Sequence, residues 1–544
     1  MKSIKKNLCN YIDSALSLLD FPRKNYSLIP PKSSSFGDIS SNVGLLVGSG
    51  LKKNPMTCAH QILDELNKND LKNIKSITVT KPGFINFFIE DSFYQNYIGT
   101  INSLKSKFGR SSIGKGKKAN VEFVSANPTG PLTVGHGRNA VIGDTVSNIL
   151  VWNGFDVTRE YYFNNAGRQM RILGESVKAR YLELSEKDID FPEDGYRGNY
   201  IKEIAQEIFD INPEDLNQNK EYFKDYAEKS IFIDIKKSLK KLGIKFDIYT
   251  NEKMFYENGD IDLLISELKE KKLIYEKDGA KWFRATELGK EKDKVYVKST
   301  GEPTYRVPDT AYHRNKLNRK YDLIVDVFGA DHADSYVDVL LALEALGYDT
   351  KPIKILIYQF VTLIKDGKKI KMSTRKADFV TLDKLLNELG PDVVRYFFIM
   401  RSVNSHLDFD LNLASDQSDS NPVFYLQYAY ARICNIIKHG ENNLLSLKEK
   451  YDQTLLSHND ELKLLKHIVL FPELIETASK TLEPQNIATY LQDLAALFHS
   501  FYGKCRVVSD DLELSKARLN LIFSVKITLE NGFKILGITA PEKM

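Results

Sequence analysis

The feature that most limits the fold is the immediate succession of a strand, a Pro/Gly-rich turn and a helix between Val121 and Trp152. Val121-Glu122-Phe123-Val124 is a β-favouring run. The residues Ser125-Ala126-Asn127-Pro128-Thr129-Gly130-Pro131 then break any regular element. Apolar spacing predicts a helix from about Gly137 to Trp152. Such a unit opens an α/β nucleotide-binding sheet. At its turn, Gly135 lets a base or ribose approach the backbone. The helix start directs free N–H groups and a positive end at phosphate. His136 is placed to donate to an α-phosphate as charge builds there.

A second basic feature lies far downstream. Asp366-Gly367 predicts a tight hairpin turn, and Lys371-Met372-Ser373-Thr374-Arg375-Lys376 follows it. Cations on such a turn can close over a triphosphate and neutralise departing pyrophosphate. By contrast, Gly109 to Gly116 imitates a phosphate loop, but Gly116 stands where a metal-binding hydroxyl belongs, so this segment reads as a linker. Asp331-His332-Ala333-Asp334 reads as a binding loop at a strand end rather than a metal site, because neighbouring strand residues point to opposite faces. Tyr396-Phe397-Phe398 reads as core.

With 544 residues, the chain is long enough for three or four units at about 150 residues each. Residues 1–110 carry a helix, a second helix near Ala59 to Lys68, and strands on either side of the Pro82-Gly83 turn, as expected of a small α+β domain. Residues 118–415 form the nucleotide-binding domain, with a mostly helical insertion at about 166–300. Its later part contains a strand at Leu323 to Phe328, a helix from Ser335 to Leu346, and a strand from Lys354 to Leu363. Residues 416–544 are helical in pattern throughout and predict an all-α bundle.

Lys and Arg number 76 against 72 Asp and Glu, a formal net charge of +4, which excludes a polycation and allows local basic patches. The four cysteines are far apart and without a Cys-x-x-Cys pair, so neither a disulfide framework nor a zinc ribbon is expected. No apolar run approaches the roughly 20 residues of a membrane span. These features predict a soluble, reduced, cytoplasmic protein without zinc.

Thr133-Val134-Gly135-His136 and Lys371-Met372-Ser373-Thr374 together resemble the paired signatures of class I aminoacyl-tRNA synthetases. The flanks resemble the arginyl-tRNA synthetase family in particular. They include Val121 to Pro131, Arg159-Glu160-Tyr161-Tyr162, Pro303-Thr304-Tyr305, Asp309 to His313, Gly329-Ala330-Asp331-His332, Asn421 to Ala429 and Ala540 to Met544. Gly37 to Asn42 and Pro82 to Phe87 look like that family's additional N-terminal domain. Two positions depart from its pattern: Thr133 replaces a histidine, and Thr374 replaces the second lysine.

The resemblance implies a Rossmann-type catalytic domain that activates L-arginine with ATP and Mg²⁺ and transfers it to tRNA(Arg). It implies His136 and Lys371 as catalytic groups, and Thr133, Gly135, His136, Lys371, Met372 and Ser373 around ATP. Ser125 and Asn127 would hold the arginine backbone, and Glu122, Tyr305, Asp309 and Tyr312 would surround its side chain, with no metal ligands in the protein. It further implies that the N-terminal domain touches the outer corner of the tRNA, that the C-terminal bundle reads the anticodon, and that the chain acts as a monomer. Small-molecule nucleotidyltransferases share the Gly-His helix start, but they need neither end domain.

Overall fold

The computed structural model describes residues 1–184, 186, 190–211, 220–332, 335–370, 380–443, 445–447 and 449–544. Its centre is a five-stranded parallel sheet. The strands, in chain order, are β1 (Lys118–Glu122), β2 (Asp156–Phe163), β3 (Ile248–Asn251), β4 (Leu323–Gly329) and β5 (Ile353–Tyr358). They lie side by side as β5-β4-β1-β2-β3, all parallel. The order reverses between β1 and β4, and the crevice beyond the carboxyl ends at such a reversal is where open α/β sheets bind ligands. Helices α1 (Val134–Trp152), α2 (Arg306–Asn318) and α3 (Ser335–Ala345) connect or precede these strands.

Several boundaries differ from the sequence reading, each for a local reason. β1 stops at Glu122 because Val124 and Ser125 take φ of 66° and 44°, which no strand accommodates. α1 starts at Val134, before the expected Gly137, because Thr133 caps it. The expected strand from Lys354 to Leu363 is split: Val361–Lys365 leaves the main sheet and pairs in parallel with Leu407–Asp410. The break lies where buried Arg138 takes the carbonyl of Gln359 at 2.6 Å. The Asp366-Gly367 hairpin forms as expected, with φ of 52° and 70° at the two turn residues. The insertion is less helical than expected. It contributes β3 to the main sheet, and Ile274–Lys277, Ala280–Phe283 and Lys294–Val297 form a small antiparallel sheet.

The N-terminal unit pairs four strands antiparallel and packs the helices Val43–Leu51 and Pro55–Leu66 on them, with Lys2–Leu18 against the latter. The C-terminal region is built from helices, among them Pro422–Asn442, Gln485–Lys504 and Leu512–Leu536. Tyr396, Phe397 and Phe398 are buried, as expected of core residues. No helix among the described residues is long and apolar enough to cross a membrane.

One buried guanidinium joins the layers. Arg395 donates to Asp144 Oδ2 on α1 at 2.6 Å, to the Leu536 carbonyl at 2.9 Å and to the Leu242 carbonyl at 2.8 Å. It therefore ties α1 to the C-terminal helix and to the segment leading into β3. Gly537 caps the C-terminal helix at φ 70°, and a Cβ there would lie 2.3 Å from the same guanidinium. Removing one partner of a buried ion pair costs about 3–5 kcal/mol. Arg395→Met is expected to lower stability by about that amount, read as an earlier urea unfolding midpoint. A midpoint equal to the parent's would show that the contact carries no such stabilisation.

Candidate active site

Beyond the end of β1 the backbone turns through the left-handed pair Val124-Ser125, a costly conformation for a β-branched residue. Side chains hold it in place. Val124 N donates to Asn139 Oδ1 at 2.6 Å, and Asn139 Nδ2 donates to the Val327 carbonyl of β4 at 2.8 Å. Asn139 thus spans the point where the strand order reverses. Ser125 Oγ donates to Glu122 Oε1 at 2.8 Å and accepts Tyr162 N at 3.2 Å. Asn127 Oδ1 accepts Asn164 N at 3.0 Å.

The α1 terminus faces the same space. Thr133 and His136 form a capping box, in which His136 N donates to Thr133 Oγ1 and Thr133 N donates to His136 Nδ1 at 3.2 Å. Thr133 therefore has a structural task where the family signature carries histidine. Because Nδ1 accepts a hydrogen bond, the neutral ring carries its hydrogen on Nε2, free to donate elsewhere. Withdrawal from water pushes the imidazole down to about 4, so it is neutral at pH 7. A Cβ on Gly135 would meet nothing closer than Thr133 Oγ1 at 3.7 Å, so this face of the turn is open. Arg138 points the other way and holds the carbonyls of Gln359, Ser402 and Ser405 at 2.6–3.0 Å.

Helix α2 supplies the opposite wall. It begins at Arg306 with Tyr305 at the N-cap position, so Asp309 lies inside the helix rather than at its cap. Asp309 and Tyr312, three residues apart, both line the cavity. The Tyr312 ring is buried and stacked on Tyr162 at 4.2 Å and 9°, and its hydroxyl has no partner among the described residues. Tyr305 is 76% exposed and stands at the mouth.

Behind this wall lies a closed charge network. Fully buried Lys316 donates to Glu122 Oε2 and, at 2.6 Å, to Asp326 Oδ1. Glu122 thus receives an ammonium on one oxygen and a hydroxyl on the other, which favour its charged form against a burial that pushes its carboxyl up. His313 donates from Nδ1 to the Asp309 carbonyl at 2.8 Å and from Nε2 to Asp326 at 3.1 Å. Burial opposes its charge, but Asp326 raises the imidazole above its ordinary value, in keeping with two donating nitrogens. Against the cost of burial, Lys316 and His313 hold the Asp326 carboxyl well below the usual carboxylate range. Glu122, His313 and Asp326 lie close enough to suggest a metal site, but the Lys316 ammonium already supplies a cation to both acids.

Asp309 differs from these acids. No described residue donates a hydrogen bond to its carboxylate. Burial, reinforced by Glu252 and Glu122 and opposed by His313 and Lys316, pushes it up to about 7.

The resulting cavity measures about 550 Å³ and is lined by every expected arginine residue: Glu122, Ser125, Asn127, Tyr305, Asp309 and Tyr312. His136 and Asp331 line it too. Thr133 and Gly135 shape the adjoining helix start. Lys371, Met372 and Ser373, with Thr374, Arg375 and Lys376, lie outside the described residues. Their flank is anchored at the site, since Thr381 bridges to Thr133 and Leu382 N donates to the Leu132 carbonyl at 2.8 Å. Sequence reasoning missed Glu252, Asn164, Asn139 and Lys316. Asn139 lay within the helix-start motif, whereas Glu252 and Lys316 gave no signal because the partners of Glu252 lie 88 and 90 positions away and Lys316 reaches Glu122 across 194.

Comparison with known proteins matches this architecture along the chain. Residues 100–394 fit the family model for the catalytic domain of class I (R) tRNA synthetases. Residues 426–544 fit the DALR anticodon binding domain, and residues 3–89 the arginyl tRNA synthetase N terminal domain. A Desulfotalea psychrophila protein named arginine–tRNA ligase is 48% identical over 528 residues, covering 95% of each chain. A Salinibacter ruber protein of the same name is 45% identical over 533 residues, covering 94% of this chain and 95% of its own. The arginyl-tRNA synthetase structure from Thermus thermophilus shares the fold at TM-score 0.77 and 20% identity, covering 99% of this chain and 100% of its own. That from Plasmodium falciparum does so at TM-score 0.76 and 19% identity, covering 100% and 99%. With its sheet order, its helix-start turn and these full-length matches in agreement, this chain belongs to the arginyl-tRNA synthetase family.

Proposed function

We propose that this chain, an arginine–tRNA ligase of protein synthesis, activates L-arginine with ATP to arginyl-adenylate and transfers it to the 3′-terminal ribose of tRNA(Arg). The observation that carries the reading is the Asp309 carboxylate, unpaired in a cavity whose other end holds a neutral imidazole at a helix start. A guanidinium is planar and always charged, and it presents paired N–H groups to such an acid. Asp309 takes the guanidinium, with Tyr312, Tyr305 and Glu122 around it, and Ser125 and Asn127 hold the arginine backbone.

ATP enters as its Mg²⁺ complex, with its adenosine against Gly135 and the end of β4. The arginine carboxylate attacks the α-phosphorus, the bond to the bridging oxygen breaks, and pyrophosphate leaves. His136 donates from Nε2 to the α-phosphate as negative charge accumulates. Lys371, with Met372 and Ser373, attends the pyrophosphate. A terminal ribose hydroxyl of the tRNA then attacks the activated carbonyl and AMP leaves. Catalysis rests on placement and charge stabilisation, with no covalent enzyme intermediate.

The same reading divides the chain into a tRNA-corner unit at 1–110, a catalytic domain at 118–415 and an anticodon reader at 416–544. A cavity of about 690 Å³ in the C-terminal bundle supports the last role: Arg432 lies 5.4 Å from the Tyr428 ring and 4.5 Å from the Tyr502 ring, a basic and aromatic surface suited to nucleotides. The proposal includes a monomer acting in the cytoplasm, supported there by four unpaired cysteines.

His136→Ala is expected to slow adenylate formation by about 10²–10³-fold, measured by pyrophosphate exchange, with arginine binding little changed. Near-normal turnover would transfer the role to backbone donors. Asp309→Asn is expected to melt like the parent and to lose about 10²–10³-fold in arginine-dependent kcat/KM. The parent should also show a pH signature. Below about 7 the empty pocket holds Asp309 protonated, so arginine must displace a proton; above it the acid is already ionised. The arginine KM should therefore fall about tenfold per pH unit as pH rises towards 7, then level off, and the slope should vanish in Asp309→Asn. A pH-independent KM in the parent would remove Asp309 from the pocket's recognition chemistry.

A further inference from the structure

The turn between β1 and α1 is held at three places by three different parts of the chain. At its start, Asn139 of α1 receives Val124 N, and buried Tyr161 of β2 donates to the Ala126 carbonyl at 2.8 Å. At its end, Leu382 N donates to the Leu132 carbonyl and Thr381 bridges to Thr133. The middle is held from the helical insertion. Tyr200 Oη donates to the Thr129 carbonyl at 2.8 Å, and Thr129 N in turn donates to the Asn127 carbonyl at 2.8 Å. Thr129 thus links the Tyr200 hydroxyl to the backbone of Asn127.

The surroundings of Tyr200 are shaped to keep that contact. It lies in the first turn of the helix Asn199–Ile211, which buries Ile201, Ile204, Ala205 and Ile208. That stripe at helical spacing seats the helix against its neighbours Gly167–Leu184 and Lys220–Lys241. Two glycines make room for the phenol. A Cβ on Gly198 would lie 2.4 Å from the ring, and a Cβ on Gly130 would lie 3.0 Å from the hydroxyl. Tyr196, four residues earlier, reaches the Thr129 side chain. Burial pushes the Tyr200 phenol above its ordinary value, so the hydroxyl keeps its proton and donates. Tyr200 is not among the residues that line the cavity. Its effect on the site therefore runs through Thr129.

We infer that Tyr200 is a positioning residue for arginine activation, which holds from the insertion the middle of the turn that carries Asn127. The inference rests on the proposed function and extends it to a residue outside the cavity. Asn127 is assigned to the arginine backbone, so a loosened Thr129 peptide displaces a side chain that meets the amino acid. The α-phosphate side has anchors of its own. Thr381 and Leu382 hold the approach to α1, and Arg138 ties the helix to the Gln359, Ser402 and Ser405 carbonyls. Losing the Tyr200 hydroxyl should therefore be felt by arginine and not by ATP.

The test measures ATP–pyrophosphate exchange by the full-length protein with bulk tRNA present, titrating arginine and ATP separately. Neither KM depends on how much of a variant is folded. Tyr200→Phe removes one hydroxyl and keeps the ring. Its arginine KM should rise about 3- to 10-fold, the worth of one hydrogen bond, while its ATP KM stays at the parental value. Gly130→Ala places a methyl group against the same hydroxyl and should give the same split. Parental values of both constants in Tyr200→Phe would overturn the inference. So would a fall in kcat with both constants unchanged, which is the mark of less folded enzyme, or an equal rise in both, which would place the effect on the whole helix start. Exchange by the parent that ignores arginine would sink the proposed function itself, and this inference with it, whatever the variants do.

Discussion

The site depends on one buried ammonium. Lys316, fully enclosed, lies against Glu122 and Asp326, and 4.3 Å from the Tyr312 ring. Without it, the carboxylates at the centre of the sheet would face each other across a medium that screens poorly. With it, Glu122 becomes a fixed acceptor that orients Ser125 and helps hold the strained turn after β1. The positive charge inside the wall is therefore already committed. Among the described residues, a carboxylate without a cationic partner remains at the cavity surface, on Asp309. Such a network stabilises little in itself, because burying the ions offsets much of their attraction. Its value here lies in fixing geometry and charge before any substrate arrives.

The rest of the fold places two helices around that network. Asn139 clamps the ends of β1 and β4, so the neutral His136 imidazole at the start of α1 opens on the same cavity as Asp309 on α2. Arg138 ties the start of α1 to the Gln359, Ser402 and Ser405 carbonyls at the root of the hairpin. Farther along α1, Asp144 meets Arg395, and through it the C-terminal helix. One helix thus carries the His136 terminus on the cavity at one end and the attachment of the bundle at the other. A bundle that reads part of a long RNA can affect the reacting atoms through such a rigid element.

What the sequence disclosed follows from how local each signal is. The strand–turn–helix around Thr133-Val134-Gly135-His136 and the Asp366-Gly367 hairpin are written in adjacent residues, and both formed as expected. The arginine-side residues came from the resemblance, and the cavity brings all six together. Glu252, Lys316 and Arg395 were not legible. Each is an ordinary charged residue on an amphipathic stretch, and only long-range packing shows that it is buried. The helical reading of the insertion missed β3, a four-residue strand between charged helices whose pairing partner lies far upstream in β2. Helix α2 runs through Pro308 because a proline is tolerated in the first turn, where its missing N–H has no partner to lose.

The account's central claim is that this cavity's unmatched negative charge selects arginine. The most direct measurement is parallel charging of bulk tRNA with radiolabelled arginine, lysine, glutamine or glutamate in the presence of ATP and Mg²⁺. Lysine tests whether positive charge alone suffices, and the other two test whether length and polarity do. The account predicts charging with arginine and none above background with the other three. Comparable charging with any of them would contradict it.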